Sequence, residues 1–110
     1  MPEKSAYFFK CFSHQSRNEL LRLLQENGEM SVEALAESID ISASTVSRHL
    51  SLLKMQGIVE LRTESPSHYY SVNSEAIIEG FRDFLGFLSI KDPSYSPGSD
   101  EANAASASKV

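Results

Sequence analysis

Three features of these 110 residues predict a mainly α domain with one small β-hairpin, arranged as a winged helix-turn-helix. Apolar residues recur at helical spacing along five separate stretches. Two of those stretches are separated only by Asp40 and Ile41. The second of the two is followed at once by β-prone runs at residues 58–62 and 68–72, joined by the turn-prone Thr63-Glu64-Ser65-Pro66-Ser67.

Size and composition bound the rest. The chain is long enough for one domain with a modest core, and any surplus apolar surface would need a partner. Apolar content is 41% and charged content 23%, so most of the chain is expected to be globular. Neither a run of membrane-spanning length nor a charged-then-apolar leader is present, so the expectation is a cytoplasmic protein that does not enter membranes. A single cysteine, Cys11, forms no internal disulfide and supplies too few thiolates for a structural zinc site.

The elements follow in order. Residues 3–12 read as a helix rich in aromatics, with Tyr7, Phe8, Phe9 and Phe12. His14-Gln15-Ser16-Arg17 reads as a break before a second helix built on Leu20, Leu21, Leu23 and Leu24, closed by Asn27-Gly28. Ser31 caps a short third helix whose inward residues are Val32, Leu35, Ala36 and Ile39. A fourth helix follows from the N-cap Ser42 to Gly57, a residue suited to the left-handed position past a C-terminus. Asn73 or Ser74 caps a fifth helix carrying Ile77, Ile78, Phe81, Phe84, Leu85, Phe87 and Leu88. The domain is expected to span residues 1–90. Residues 91–110 are rich in Ser and Ala and are expected to form a disordered tail.

The fourth helix organises the functional reading. Val46, Leu50 and Leu53 form an apolar stripe at i, i+4, i+7, while Ser44, Thr45, Ser47, Arg48 and Ser51 occupy the other side. Hydroxyls reach phosphates and base edges, and arginine forks onto guanine, so this face suits a DNA groove better than a core. Net charge is −5, which weighs against nucleic acid, yet residues 42–72 hold three cations and two anions while residues 1–41 hold four and seven. Only the middle of the chain is positive, and only slightly. Modest non-specific affinity is therefore expected, with weight on a few placed contacts and on dimerisation.

The runs Phe9-Lys10-Cys11-Phe12-Ser13-His14-Gln15-Ser16-Arg17 and Ser44-Thr45-Val46-Ser47-Arg48-His49-Leu50, continuing through Leu53-Lys54-Met55-Gln56-Gly57-Ile58-Val59 to the wing's Tyr69-Tyr70, resemble the ArsR/SmtB family of bacterial dimeric repressors. The resemblance covers residues 5–89. It implies that Ser42, Ser44, Thr45, Ser47, Arg48 and His49 meet the major groove and its flanking phosphates, and that Arg62 and His68 reach the backbone from the wing. It also implies a homodimer seamed by the first and last helices through Tyr7, Phe8, Cys11, Phe81, Phe84, Leu85 and Leu88.

The family's metal-sensing constellations are not matched. Where arsenic sensors carry a cysteine pair, this chain reads Glu29-Met30-Ser31-Val32-Glu33, and its last helix offers Glu75, Glu79 and Asp83 without histidine. No metal and no cofactor are expected. Cys11 reads either as a packed small hydrophobe, which is favoured, or as a thiol sensor of oxidant, sulfide or metalloid. His14 reads as a helix-start residue, and the last helix's aromatic stripe as a dimer seam in preference to a ligand pocket. There is no phosphate-binding glycine loop, nucleophile elbow or His–carboxylate cluster, so no enzyme is expected. The sequence thus points to a dimeric repressor bound to double-stranded operator DNA and released by an inducer. A winged-helix protein-interaction module is the alternative, favoured only by the acidic balance.

Overall fold

The computed structural model describes residues 3–91, and within them the order is α1 (Glu3–Lys10), α2 (Gln15–Asn27), β1 (Glu29–Ser31), α3 (Val32–Ile39), α4 (Ala43–Met55), β2 (Val59–Glu64), β3 (Ser67–Val72) and α5 (Ser74–Phe87). The chain divides after Gly80 into two compact units. The expected tail lies outside the described residues except for Lys91.

Local chemistry explains most of the boundaries. Ser31 Oγ accepts from the Ala34 amide (3.1 Å) and Ser42 Oγ from the Thr45 amide (3.1 Å), capping α3 and α4. Asn73 Oδ1 accepts from the Ala76 amide (3.2 Å), so of the two candidate caps for α5 it is Asn73 that serves. Gly57 takes φ +76°, its amide donating to the Lys54 carbonyl (2.9 Å) while the Ile58 amide donates to that of Leu53 (2.9 Å). That left-handed residue turns the chain from α4 straight into the first wing strand. Asp40 also adopts a left-handed conformation (φ 58°), which allows the tight link between α3 and α4.

The first unit contains one core. Leu20 and Leu24 of α2, Leu35 of α3, Val46, Leu50 and Leu53 of α4, and Ile58 and Val59 at the start of the wing are essentially inaccessible to solvent and form one cluster. The i, i+4, i+7 stripe of α4 is thus its buried face, as its spacing predicts.

Three details differ from the expectations. The sheet has three strands in the order β1-β3-β2, because Glu29, Met30 and Ser31 pair antiparallel with Ser71, Tyr70 and Tyr69. A three-residue strand shows no alternation of its own; its partner across space defines it. The wing is also tighter than expected: β2 and β3 pair from Val59↔Val72 to Glu64↔Ser67, leaving only Ser65 and Pro66 in the turn. Finally, α2 already begins at Gln15. Cys11, Phe12 and Ser13 instead make the break, with Asn18 Nδ2 donating to the Phe12 carbonyl (3.1 Å) across it.

Phe8 and Cys11, expected at a dimer face, are buried within the single chain. A Cβ at Gly80 would run into the Phe8 ring, so this glycine permits close approach of α5 to α1. Tyr7 is exposed, as are Phe81 and Leu88, while Phe84 and Leu85 are half-buried.

Two substitutions on α4 separate core from surface. Leu50→Ala should destabilise by about 2–5 kcal/mol, because the surrounding side chains close the cavity only in part. Met55→Ala, at a residue 78% exposed, should stay within about 0.5 kcal/mol of the parent in urea titrations at matched protein concentration.

Candidate nucleic-acid interface

With Val46, Leu50 and Leu53 fixed inward, α4 presents Ser44, Ser47, Arg48 and Ser51 to solvent, with Thr45 and His49 half-buried at the margins. Its first turn is tied together by hydroxyls. Ser42 Oγ lies 3.2 Å from Ser44 Oγ and donates to Thr45 Oγ1 (2.9 Å), to which Arg48 Nη2 also donates (3.4 Å). Ser42 therefore acts chiefly as a cap. Arg48 lies along the helix on a weak tether, free to extend.

The wing closes one side of this face. A cleft of about 530 Å³ is lined by Glu33 at the start of α3, Ala43, Ser44 and Ser47 of α4, and Pro66 and His68 of the wing. Three of the expected contact residues, Ser44, Ser47 and His68, are thereby brought together around one opening. Glu33 is the dissonant member, a carboxylate that would sit near any phosphate entering the cleft.

Arg62 is not part of this group. It donates through Nε and Nη2 to the Glu29 carboxylate (2.9 and 3.1 Å) and through Nη1 to Glu64 (2.8 Å), with its guanidinium carbon 4.8 Å from the centroid of the Tyr69 ring. The side chain thus spans the central strand β3 and joins all three strands. The bond from Arg62 holds the Glu29 carboxyl below its ordinary range, and the two carboxylates raise the already high pKa of Arg62. The partners Glu29 and Glu64 were not legible as a pair, because 35 residues separate them in sequence and only the strand order brings them together.

His49 faces the body of the protein more than a groove. Its ring lies 5.8 Å from that of His14, and burial, with the positive charges of Arg17, His14 and Arg48 around it, pushes its pKa down. Arg17, expected in a break, is instead a helical residue within the core, 7% exposed. Cys11 is also buried. Burial raises its pKa against the opposing pull of Arg17, and its Sγ has only a long 3.7 Å contact to the Tyr7 carbonyl. A thiol held protonated in a packed site is a poor nucleophile, which favours the packing reading of Cys11. Among the described residues no group of three or more His, Cys, Asp and Glu side chains is placed to hold a metal ion, and no helix is long and apolar enough to cross a membrane.

The model of the bacterial regulatory protein arsR family matches residues 14–60, the stretch from the start of α2 through the helix-turn-helix into the wing. An HTH-type transcriptional regulator of Methanocaldococcus jannaschii is 36% identical over 77 residues, covering 70% of this chain and 86% of its own. The chain belongs to the arsR family. The transcriptional repressor SdpR of Bacillus subtilis is 30% identical over 76% of this chain and 92% of its own length. Among solved structures, the homodimeric winged helix-turn-helix DNA-binding domain of a Mycobacterium bovis protein superposes with a TM-score of 0.63 at 29% identity, covering 76% of this chain and 79% of that one. The fold and the relatives are those of DNA-binding transcriptional regulators, which are not enzymes.

The environment of His49 has a thermodynamic consequence. Its folded pKa lies below the ordinary 6.5, so between the two values the unfolded chain binds more protons and stability falls as the solution is acidified. His49→Gln should remove that part of the pH dependence. Melting curves from pH 7.5 to 5.5 should show a smaller drop in the variant than in the parent.

Proposed function

We propose that this arsR-family chain is a homodimeric repressor whose two α4 helices enter successive major grooves of an inverted repeat. The observation that carries this reading is the polar outer face of α4 opening into the cleft beneath the wing, where Ser44, Ser47 and His68 converge, with Arg48 exposed on the same helix. Short hydroxyls permit close approach of the helix to base edges, and the arginine supplies a bidentate donor. The buried stripe behind them keeps the helix from rotating on contact. A second copy is the natural cover for the exposed apolar side chains Tyr7, Ile78, Phe87, Leu88 and Ile90, and the homodimeric M. bovis relative supports it. Repression is proposed by analogy with the repressor relative; release by an inducer would couple it to a signal. Thr45 and Ser42 organise the first turn, so their part in binding is mainly to hold Arg48 and Ser44 in place.

A second reading, a winged-helix module that binds protein and not DNA, draws on two observations. Arg62 is already occupied by carboxylates, and Glu33 lines the cleft. These features leave the wing with little net positive charge.

Selection of bound duplexes from a random pool, under reducing conditions, separates the two readings. Enrichment of an inverted repeat is expected. On that sequence Arg48→Ala should weaken binding by about 1–3 kcal/mol and relax preference at one position of each half-site. Equal loss on all sequences would make Arg48 a phosphate contact. No enrichment at low salt, from folded dimeric protein, would favour the protein-binding module.

A further inference from the structure

At the start of α2 three features converge. His14 precedes the helix in an extended conformation (φ −119°, ψ 131°), and its side chain makes no capping bond. The first amide of the helix with a backbone acceptor is that of Asn18, which donates to the His14 carbonyl (3.1 Å). The amides of Gln15, Ser16 and Arg17 precede it and, as in any α-helix, have no acceptor within the helix, so the positive end of the helix dipole lies open there. The first turn holds no acidic residue.

The second feature is Arg17. Its side chain is more than nine-tenths buried and its Nε has no hydrogen-bond partner. No carboxylate among the described residues pairs with it, and Glu19, the nearest along the helix, is taken by Arg22 (2.8 Å). A buried N–H without an acceptor is unfavourable, and an anion reaching Nε would satisfy it. From the third position of the helix its side chain leans back toward the N-terminus, as helical side chains do. The third feature is the His14–His49 ring pair, which joins this end of α2 to the recognition helix directly after Arg48. His49 thus has His14, Arg17 and Arg48 as charged or chargeable neighbours.

We propose that the N-terminus of α2 is a phosphate site, where the first-turn amides, Arg17 and His14 receive a backbone phosphate of the duplex read by α4. The proposal rests on DNA being the partner. A backbone phosphate fits because amide donors at a helix start and a guanidinium bind tetrahedral oxyanions well, and because His14 at this helix start lies beside His49 of α4, the helix that would enter the groove. The contact is independent of sequence and fixes the register of the recognition helix on the duplex. It also supplies the positive charge that the wing lacks while Arg62 is paired with Glu29 and Glu64.

The test compares the parent with Arg17→Gln, Arg17→Lys and the exposed-site variant His14→Gln, measuring affinity for selected and random duplexes between 50 and 200 mM salt. Arg17→Gln should weaken both duplexes by the same factor. It should also lower the slope of log affinity against log salt by about two per dimer, at roughly 0.9 per phosphate contact. Arg17→Lys should restore part of the slope, and His14→Gln should weaken both duplexes equally. An unchanged slope in folded Arg17→Gln overturns the proposal; if that variant does not fold, an unchanged affinity of His14→Gln does so. Titration of the DNA-free protein with inorganic phosphate, followed at the Gln15 and Ser16 amides by NMR, identifies the source. Saturable shifts with an unchanged DNA slope mean a free-anion site and overturn the assignment to DNA. If the parent binds no duplex, the DNA-binding reading fails separately. The same titration then decides the anion site, with shifts supporting it and their absence overturning it.

Discussion

Burial of Val46, Leu50 and Leu53 is the constraint on which the rest of this structure depends. These three side chains fix the rotation of α4 against Leu20, Leu24 and Leu35, and so decide which residues face solvent. Because the interior is close-packed, the helix cannot turn to suit a ligand; the outer residues are held in place before any partner arrives. Gly57 and the Ile58–Val59 pair extend the same core into the wing, so the position of the cleft between α4 and the wing follows from the same packing. An interface made of short hydroxyls has little reach. Any partner must therefore come close to it, and this core fixes where the face is offered.

Charge is deployed sparingly. A chain with net charge −5 cannot rely on a broad basic surface, and several of its cations are already engaged. Arg22 bridges Glu19 and Glu26 along α2, and Arg62 bridges Glu29 and Glu64 across the sheet. These exposed pairs add little to stability, but they hold the side chains in place. Arg62 acts as a clasp on the three strands, bonded to Glu29 of β1 and Glu64 of β2 and stacked near Tyr69 of β3. Arg48, by contrast, has only a 3.4 Å bond to Thr45. Specific binding would then depend on a few unengaged donors and on two copies acting together.

Much of this was legible in the sequence, for identifiable reasons. Helix periodicity located α2 through α5, and caps at Ser31 and Ser42 together with Gly57 marked the ends of α3 and α4, because those signals act over three or four residues. The arsR-type resemblance pointed to the family that the comparisons then showed. What could not be read was whatever depends on distant pairing. Strand β1 is defined only by its bonds to β3, Arg62 finds Glu29 only across that strand, and the Phe8 ring packs where Gly80 has no Cβ. Arg17 was misplaced because His14-Gln15-Ser16-Arg17 carries no apolar periodicity, although a helix beginning at Gln15 puts Arg17 three residues before the buried Leu20.

Footprinting with hydroxyl radicals on a selected duplex, at a measured protein-to-DNA stoichiometry, tests the central claim most directly. The account predicts two chains per duplex and two protected windows related by a dyad, centred about one helical turn apart (~34 Å). A single window with one chain bound, or no protection by folded protein at low salt, would contradict it.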